Sequence, residues 1–279
     1  MAPNILGIAE LRIMVIQFLR DDENALLSAM LVNKTWAAEA IGVKWETVEA
    51  GYLAWISPSR RQQYARHVKK LRFESSTSKS AHVSIKGLEY PRLKSLDFYP
   101  NDVENLSIAP YLKPSLRTLV YYIPYPREDV FHLLKTRCLQ LQRIEFWCNR
   151  KYDPEEMISF LQHCTSLKSV HFSCRRANPL DNKVLSCLAR YNGLEDLRLS
   201  QTLSPDNVDK MLKVTGTPLR DLKSFEIRTE STAVPKLMEN MKVIPNLRCL
   251  SIDIEGMGTS NLPCVGLLSN LRRFTISAR

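Results

Sequence analysis

Cys148 and Cys174 stand 26 residues apart with His171 close to the second, and these are donor types that a zinc ion takes. Four ligands at tetrahedral spacing are lacking. The seven cysteines (138, 148, 164, 174, 187, 249, 264) include no C-x-x-C pair. Small buried thiols are the simpler reading, so no metal is expected. Phosphate chemistry needs glycines where backbone must approach the ligand closely. The chain has nine glycines without a cluster, and neither G-x-x-x-x-G-K-[ST] nor G-x-G-x-x-G occurs. H-E-x-x-H and G-x-S-x-G are also missing. No cofactor and no catalytic residue is expected, although a Ser/His/Asp set dispersed along the chain would leave no such signature. The chemistry the chain does offer is recognition: the rings of Tyr99, Tyr122 and Trp147, and a recurring cation, each at a fixed place in a repeat.

That repeat reads apolar-x-x-apolar-x-apolar with polar residues in the first two gaps. Its leading residues are Val68, Leu93, Leu116, Leu141, Leu167, Leu194, Leu222, Leu247 and Leu271, spaced by 23 to 28 residues. Chance would give eight successive returns with a probability on the order of 10⁻⁷. Alternation over the last half of the template is strand-like. One repeat cannot bury its apolar side alone, so repeats must stack. Between the strands, Asp153-Pro154-Glu155-Glu156 and Ser204-Pro205-Asp206 read as helix starts, and Asp129 precedes a third apolar set. The fold class predicted is therefore an α/β solenoid: a leucine-rich-repeat horseshoe with parallel strands on the concave face and helices on the convex one.

Counting from the leading residue, positions 3, 5 and 7 should face the concave side. Position 7 gives Tyr99, Tyr122 and Trp147, aromatic anchors of the kind interfaces favour. If these strands end one residue earlier, the same rings pack into loops. Arg143, Glu145 and His171 fall on the same side and are expected to fix the register of a bound substrate. Position 2 is basic in seven of nine repeats, with Lys94, Arg117 and Lys168 at the rim of the aromatic patch. Such a row would steer an acidic or phosphorylated partner, or serve only as a solvated face.

Ahead of the repeats, Leu11, Met14, Val15, Phe18 and Leu19 form a helical stripe, with Ile13 and Ile16 on the other side. A helix so apolar all round needs cover on more than one side. Asp21 and Asp22 start a second helix, and Trp36, Ala37, Ala40 and Ile41 mark a third. This string resembles an F-box. Ile8-Ala9-Glu10-Leu11, Val15-Ile16, Phe18-Leu19 and Leu31-Val32-Asn33-Lys34-Thr35-Trp36 follow the family's signature, with Ala9 where the family has proline and Asn33 where it has Cys or Ser. The segments Cys138–Cys148 and Cys164–Cys174 likewise resemble the cysteine-containing repeats common behind F-boxes. The resemblance implies docking on the Skp adaptor of a cullin–RING ubiquitin ligase through Ile8, Glu10, Leu11, Val15, Leu19, Leu31, Val32 and Trp36. It also implies a non-catalytic chain whose repeats hold a substrate protein.

The expected organisation is an F-box-like module at 1–48, a linking helix at 49–67 and about nine repeats over 68–279. Residues 60–72 hold six Lys/Arg, enough to touch nucleic acid but more often a solvated linking helix. No capping helix follows Ile276, which predicts truncation, self-association or a partner at that end. Residues 1–48 carry four basic against six acidic residues; with +10 overall, the remainder carries +12. No run of eighteen apolar residues occurs and the N-terminus lacks a secretory pattern, so cytoplasm or nucleus is the expected location and no membrane is expected. The alternative is a phosphoprotein or nucleic-acid binder whose helical module only caps the solenoid. For nucleic acid the sequence gives the weaker case.

Overall fold

The computed structural model describes residues 8–99, 106–122, 130–148, 153–174, 180–214, 218–241, 244–255 and 271–278. The chain divides into two units, 1–106 and 107–279.

The first unit opens with three helices, α1 (Ala9–Phe18), α2 (Glu23–Val32) and α3 (Lys34–Lys44). Asp22 caps α2 by accepting the Ala25 amide at 2.9 Å, and Asn33 caps α3 by accepting from Thr35 and Trp36. A short polar residue at each junction thus ends one helix and starts the next. Ile16, Leu26, Ala29 and Ala40 form the core, with Leu19, Met30, Trp36 and Val43 packed against it. Arg12 also lies on this inner side, where its guanidinium meets Glu39 of α3 at 2.7 and 2.8 Å. The Glu39 carboxylate keeps the guanidinium pKa above its usual value.

The chain then enters the repeats earlier than the nine-fold template indicates. A strand β1 (Thr47–Glu49) pairs in parallel with β2 (Lys70–Phe73), which pairs with β3 (Ser95–Phe98). Trp45-Glu46-Thr47-Val48-Glu49-Ala50 obeys the template, 23 residues ahead of Val68. The template is masked there because its first apolar residue is a tryptophan at the end of a helix. The segment 49–67 is accordingly two helices, α4 (Ala50–Trp55) and α5 (Pro58–Ala65), followed by α6 (Lys79–Ile85) after β2. Arg61 from the basic stretch donates to the carbonyls of Ile56 and Ala54 at 2.8 and 2.6 Å, tying α4 to α5.

The second unit alternates strand and helix: β4 (Thr118–Tyr122), α7 (Val130–Arg137), β5 (Arg143–Cys148), α8 (Pro154–His163), β6 (Ser169–Cys174), α9 (Asn182–Ala189) and β7 (Asp196–Leu203). It continues through α10 (Pro205–Leu212), β8 (Ser224–Glu230), α11 (Val234–Met241), β9 (Cys249–Glu255) and β10 (Arg273–Ala278). Each strand pairs in parallel with its sequence neighbour, as an α/β solenoid of the leucine-rich-repeat class requires. Register follows the template: Leu119, Ile144, Val170, Leu197, Phe225, Leu250 and Phe274 are successive partners. Behind them the third template position builds a ring stack, with Tyr121 and Phe172 each beside Phe146, which also meets Phe131 of α7. Asp153 caps α8 and a Ser204–Asn207 capping box starts α10, at the sites expected; Asp129 lies outside the described residues.

Two further devices join the repeats. The position-2 carbonyl of one repeat accepts two amides of the next, as Arg117 does from Gln142 and Arg143 at 2.8 and 2.9 Å. The same double acceptance recurs at Glu46, Lys69, Gln142, Lys168, Glu195, Lys223 and Arg248. Three residues before the leading position, the buried Cys138 and Cys164 thiols reach the carbonyls of Lys113 and Cys138. Burial pushes both thiols up to about 12, so they stay neutral and unreactive. No described helix is long and apolar enough to cross a membrane.

Candidate functional site

On the helical module, the choice of inward face decides what is left outside. Arg12, Ile16 and Leu19 point in, which turns Leu11, Met14, Val15 and Phe18 outward. Phe18 is 89% exposed and Met14 64%. At the end of α2, Leu31 is 87% exposed beside an exposed Val32. Nine of the fourteen large hydrophobic side chains exposed among the described residues lie between Ile8 and Val32. Exposed apolar side chains gathered on one small module make it a candidate interaction surface, whereas singly scattered ones need no explanation. Of the residues expected to dock an adaptor, Ile8, Glu10, Leu11, Val15, Leu31 and Val32 are exposed, while Leu19 and Trp36 pack against the core. Met14, Phe18 and Leu27 belong to the same exposed set. The first two were visible in the stripe; Leu27 had no separate signal.

The strand face of the second unit gathers the other candidates. Arg143 and Glu145 alternate outward along β5, and parallel register sets Glu145 beside His171 and Tyr122 beside Trp147. The Tyr122 and Trp147 rings are 6.0 Å apart, and the His171 ring meets Trp147 edge-on at 5.3 Å. Glu145 is the hub. One carboxylate oxygen accepts Trp147 Nε1 at 3.1 Å and lies 3.4 Å from His171 Nδ1; the other lies 3.4 Å from Arg143. These contacts, that with His171 foremost, hold Glu145 down to about 2 against the opposing effect of burial. His171 Nε2 is 3.1 Å from the Ser200 hydroxyl. Ser200 owes its place to an irregularity in β7: Leu199 pairs with Ile227 and Thr202 with Arg228, leaving Ser200 and Gln201 as a two-residue bulge. Its only sequence sign is the 28-residue spacing from Leu194 to Leu222, the longest in the array.

Tyr99 is half-buried at the end of β3 in the first unit, where its amide donates to Phe73. Lys94 is exposed. The Arg117 guanidinium turns to the next loop, donating to the Gln140 side chain and to the carbonyls of Pro114 and Gln140 at 3.4 Å. Lys168 is 3.5 Å from Glu195, which also binds Lys223, and Lys69 pairs with Glu46. Both lysines keep the Glu195 carboxyl below its usual range. Acidic partners thus neutralise part of the basic row. Cys148 and Cys174 are register partners whose side chains lie outside the described part, and no group among the described residues could hold a metal ion.

No protein-family model and no curated protein matches the chain. Among solved structures it is similar to a chain in the crystal structure of the Rad7 and Elc1 complex in yeast. The two share 16% identity at a TM-score of 0.42, over 96% of this chain and 68% of that one.

Proposed function

We propose that this chain is the substrate-recognition subunit of a Skp–cullin–F-box ubiquitin ligase and has no catalysis of its own. Residues 1–48 dock on the Skp adaptor and the repeats over 68–279 hold a target protein. The observation that carries the reading is the apolar face from Ile8 to Val32, left open on a module that already has its own core. A module serving only to cap the solenoid would bury its apolar surface against the repeats. The F-box resemblance of the same residues names the partner. On the strand face, the Tyr122–Trp147 pair supplies flat apolar contact of the sort that dominates binding energy. Soluble function in cytoplasm or nucleus goes with this role.

Binding of purified Skp adaptor to the full chain tests it. Leu31→Asp places a charge in a surface that must be desolvated, and should abolish adaptor binding without unfolding an exposed position. Trp147→Ala should leave adaptor binding unchanged. No adaptor binding by the wild-type chain, or equal binding by Leu31→Asp, overturns the reading.

A further inference from the structure

The helical side of the second unit carries a groove of about 920 Å³ across α8, α9 and α10. Ile158 and Leu161 of α8 and Val214 after α10 give it an apolar floor. Its rim holds four cations, Lys183, Arg190, Lys210 and Lys213, and no acidic side chain among the described residues lines it. Lys183 and Lys213 are each 2.6 Å from a carboxylate outside the groove, Glu155 and Asp209. Arg190 and Lys210 are exposed and take part in none of the ion pairs seen among the described residues.

Cations near helix C-termini complement the helix dipole, and Arg190 and Lys210 do close α9 and α10. The dipole gives no reason for an apolar trough beneath them. Burial raises the pKa of the Cys187 thiol, so the groove gains no thiolate. Nucleic acid is the poorer occupant, because single strands bind by stacking bases on aromatic rings. The one ring among the described lining residues, Tyr191, is anchored through its hydroxyl, which donates to the Cys164 carbonyl and accepts the Leu167 amide.

We infer that this groove binds a short acidic peptide segment. Its carboxylates meet Arg190 and Lys210, and its apolar side chains cover the half-buried Ile158 and Val214, beneath which Leu161 is already buried. Packed helices lie about 9 Å apart, so three of them span about 18 Å. That is the reach of about five or six extended residues.

The test is fluorescence anisotropy on the full chain with a labelled peptide of alternating aspartate and leucine pairs, about eight residues long. A lysine–leucine counterpart and an oligothymidylate of equal length serve as comparisons. Saturable binding of the acidic peptide is expected, weakened at least tenfold by Arg190→Glu with Lys210→Glu and less by the corresponding Gln pair, which keeps the test open if the reversed variant misfolds. Leu31→Asp and Trp147→Ala should not alter it, which separates this surface from the proposed docking and substrate faces. No saturable binding, tighter binding of either comparison, or unchanged affinity in both charge variants overturns the inference.

Discussion

At Glu145, donors from Trp147, His171 and Arg143 converge on one carboxylate, so its role is internal: it fixes the indole and imidazole on the strand face. Its pKa lies at about 2 in the folded chain, below the ordinary 4.5. A depressed carboxyl stabilises the fold above the ordinary value and loses that contribution as pH falls from 4.5 to about 2. Glu145→Gln should therefore be less stable at neutral pH, and its urea midpoint should fall less steeply than wild type over that interval. Parallel curves would show that the cluster holds no such linkage. The members of this site were legible because parallel register sets position 5 of one repeat beside position 5 of the next, which joins Glu145 to His171. What periodicity could not reveal is that the carboxylate is consumed within the cluster. Ser200 was hidden because it sits in an insertion, where counting from a leading residue fails.

Elements differ in how firmly the sequence specifies them. Strands β2 to β10 were legible since each carries the template, and β1 was missed although Trp45, Val48 and Ala50 satisfy it. For α1 the stripe was visible but not its direction. Pairing of Arg12 with Glu39 makes a charged side chain part of the inner face, which hydrophobicity alone never suggests. The bulge in β7 yields a sharper test. Inserting two residues preserves inward and outward alternation, so Leu203 still points into the core. The same insertion buries the Gln201 amide at 6% exposure, with neither its oxygen nor its nitrogen partnered. Deleting Ser200 and Gln201 together should be close to neutral in urea unfolding, since it removes an unsatisfied amide that costs about 1–3 kcal/mol. Deleting Gln201 alone puts Leu203 on the wrong face and should cost about 2 kcal/mol or more. Equal losses from the two deletions would mean that the strand re-registers freely.

Across the whole chain, stability should be uneven. Among its described residues the helical module has a core of four buried apolar side chains, two of them alanines, whereas β5 and β6 rest on a stack that includes Tyr121, Phe131, Phe146 and Phe172. Less buried area means a lower local opening energy. Amides of α1 to α3 should exchange at least about tenfold faster than those of β5 to β8, a difference of about 1.4 kcal/mol. Bound adaptor should narrow the gap. Equal protection in the free chain would sink this idea. The seam between repeats has a different consequence, one for inheritance. Among the described residues, eight carbonyls each receive two amides from the following repeat, and none of these bonds depends on which side chain occupies the position. Glutamate, glutamine, lysine and arginine all serve. A gene can therefore gain or lose a whole repeat of about 25 residues by unequal crossing-over without breaking the joint on either side. Half of these positions, Gln142, Lys168, Lys223 and Arg248, expose side chains that mutation can change, so recognition can drift faster than architecture.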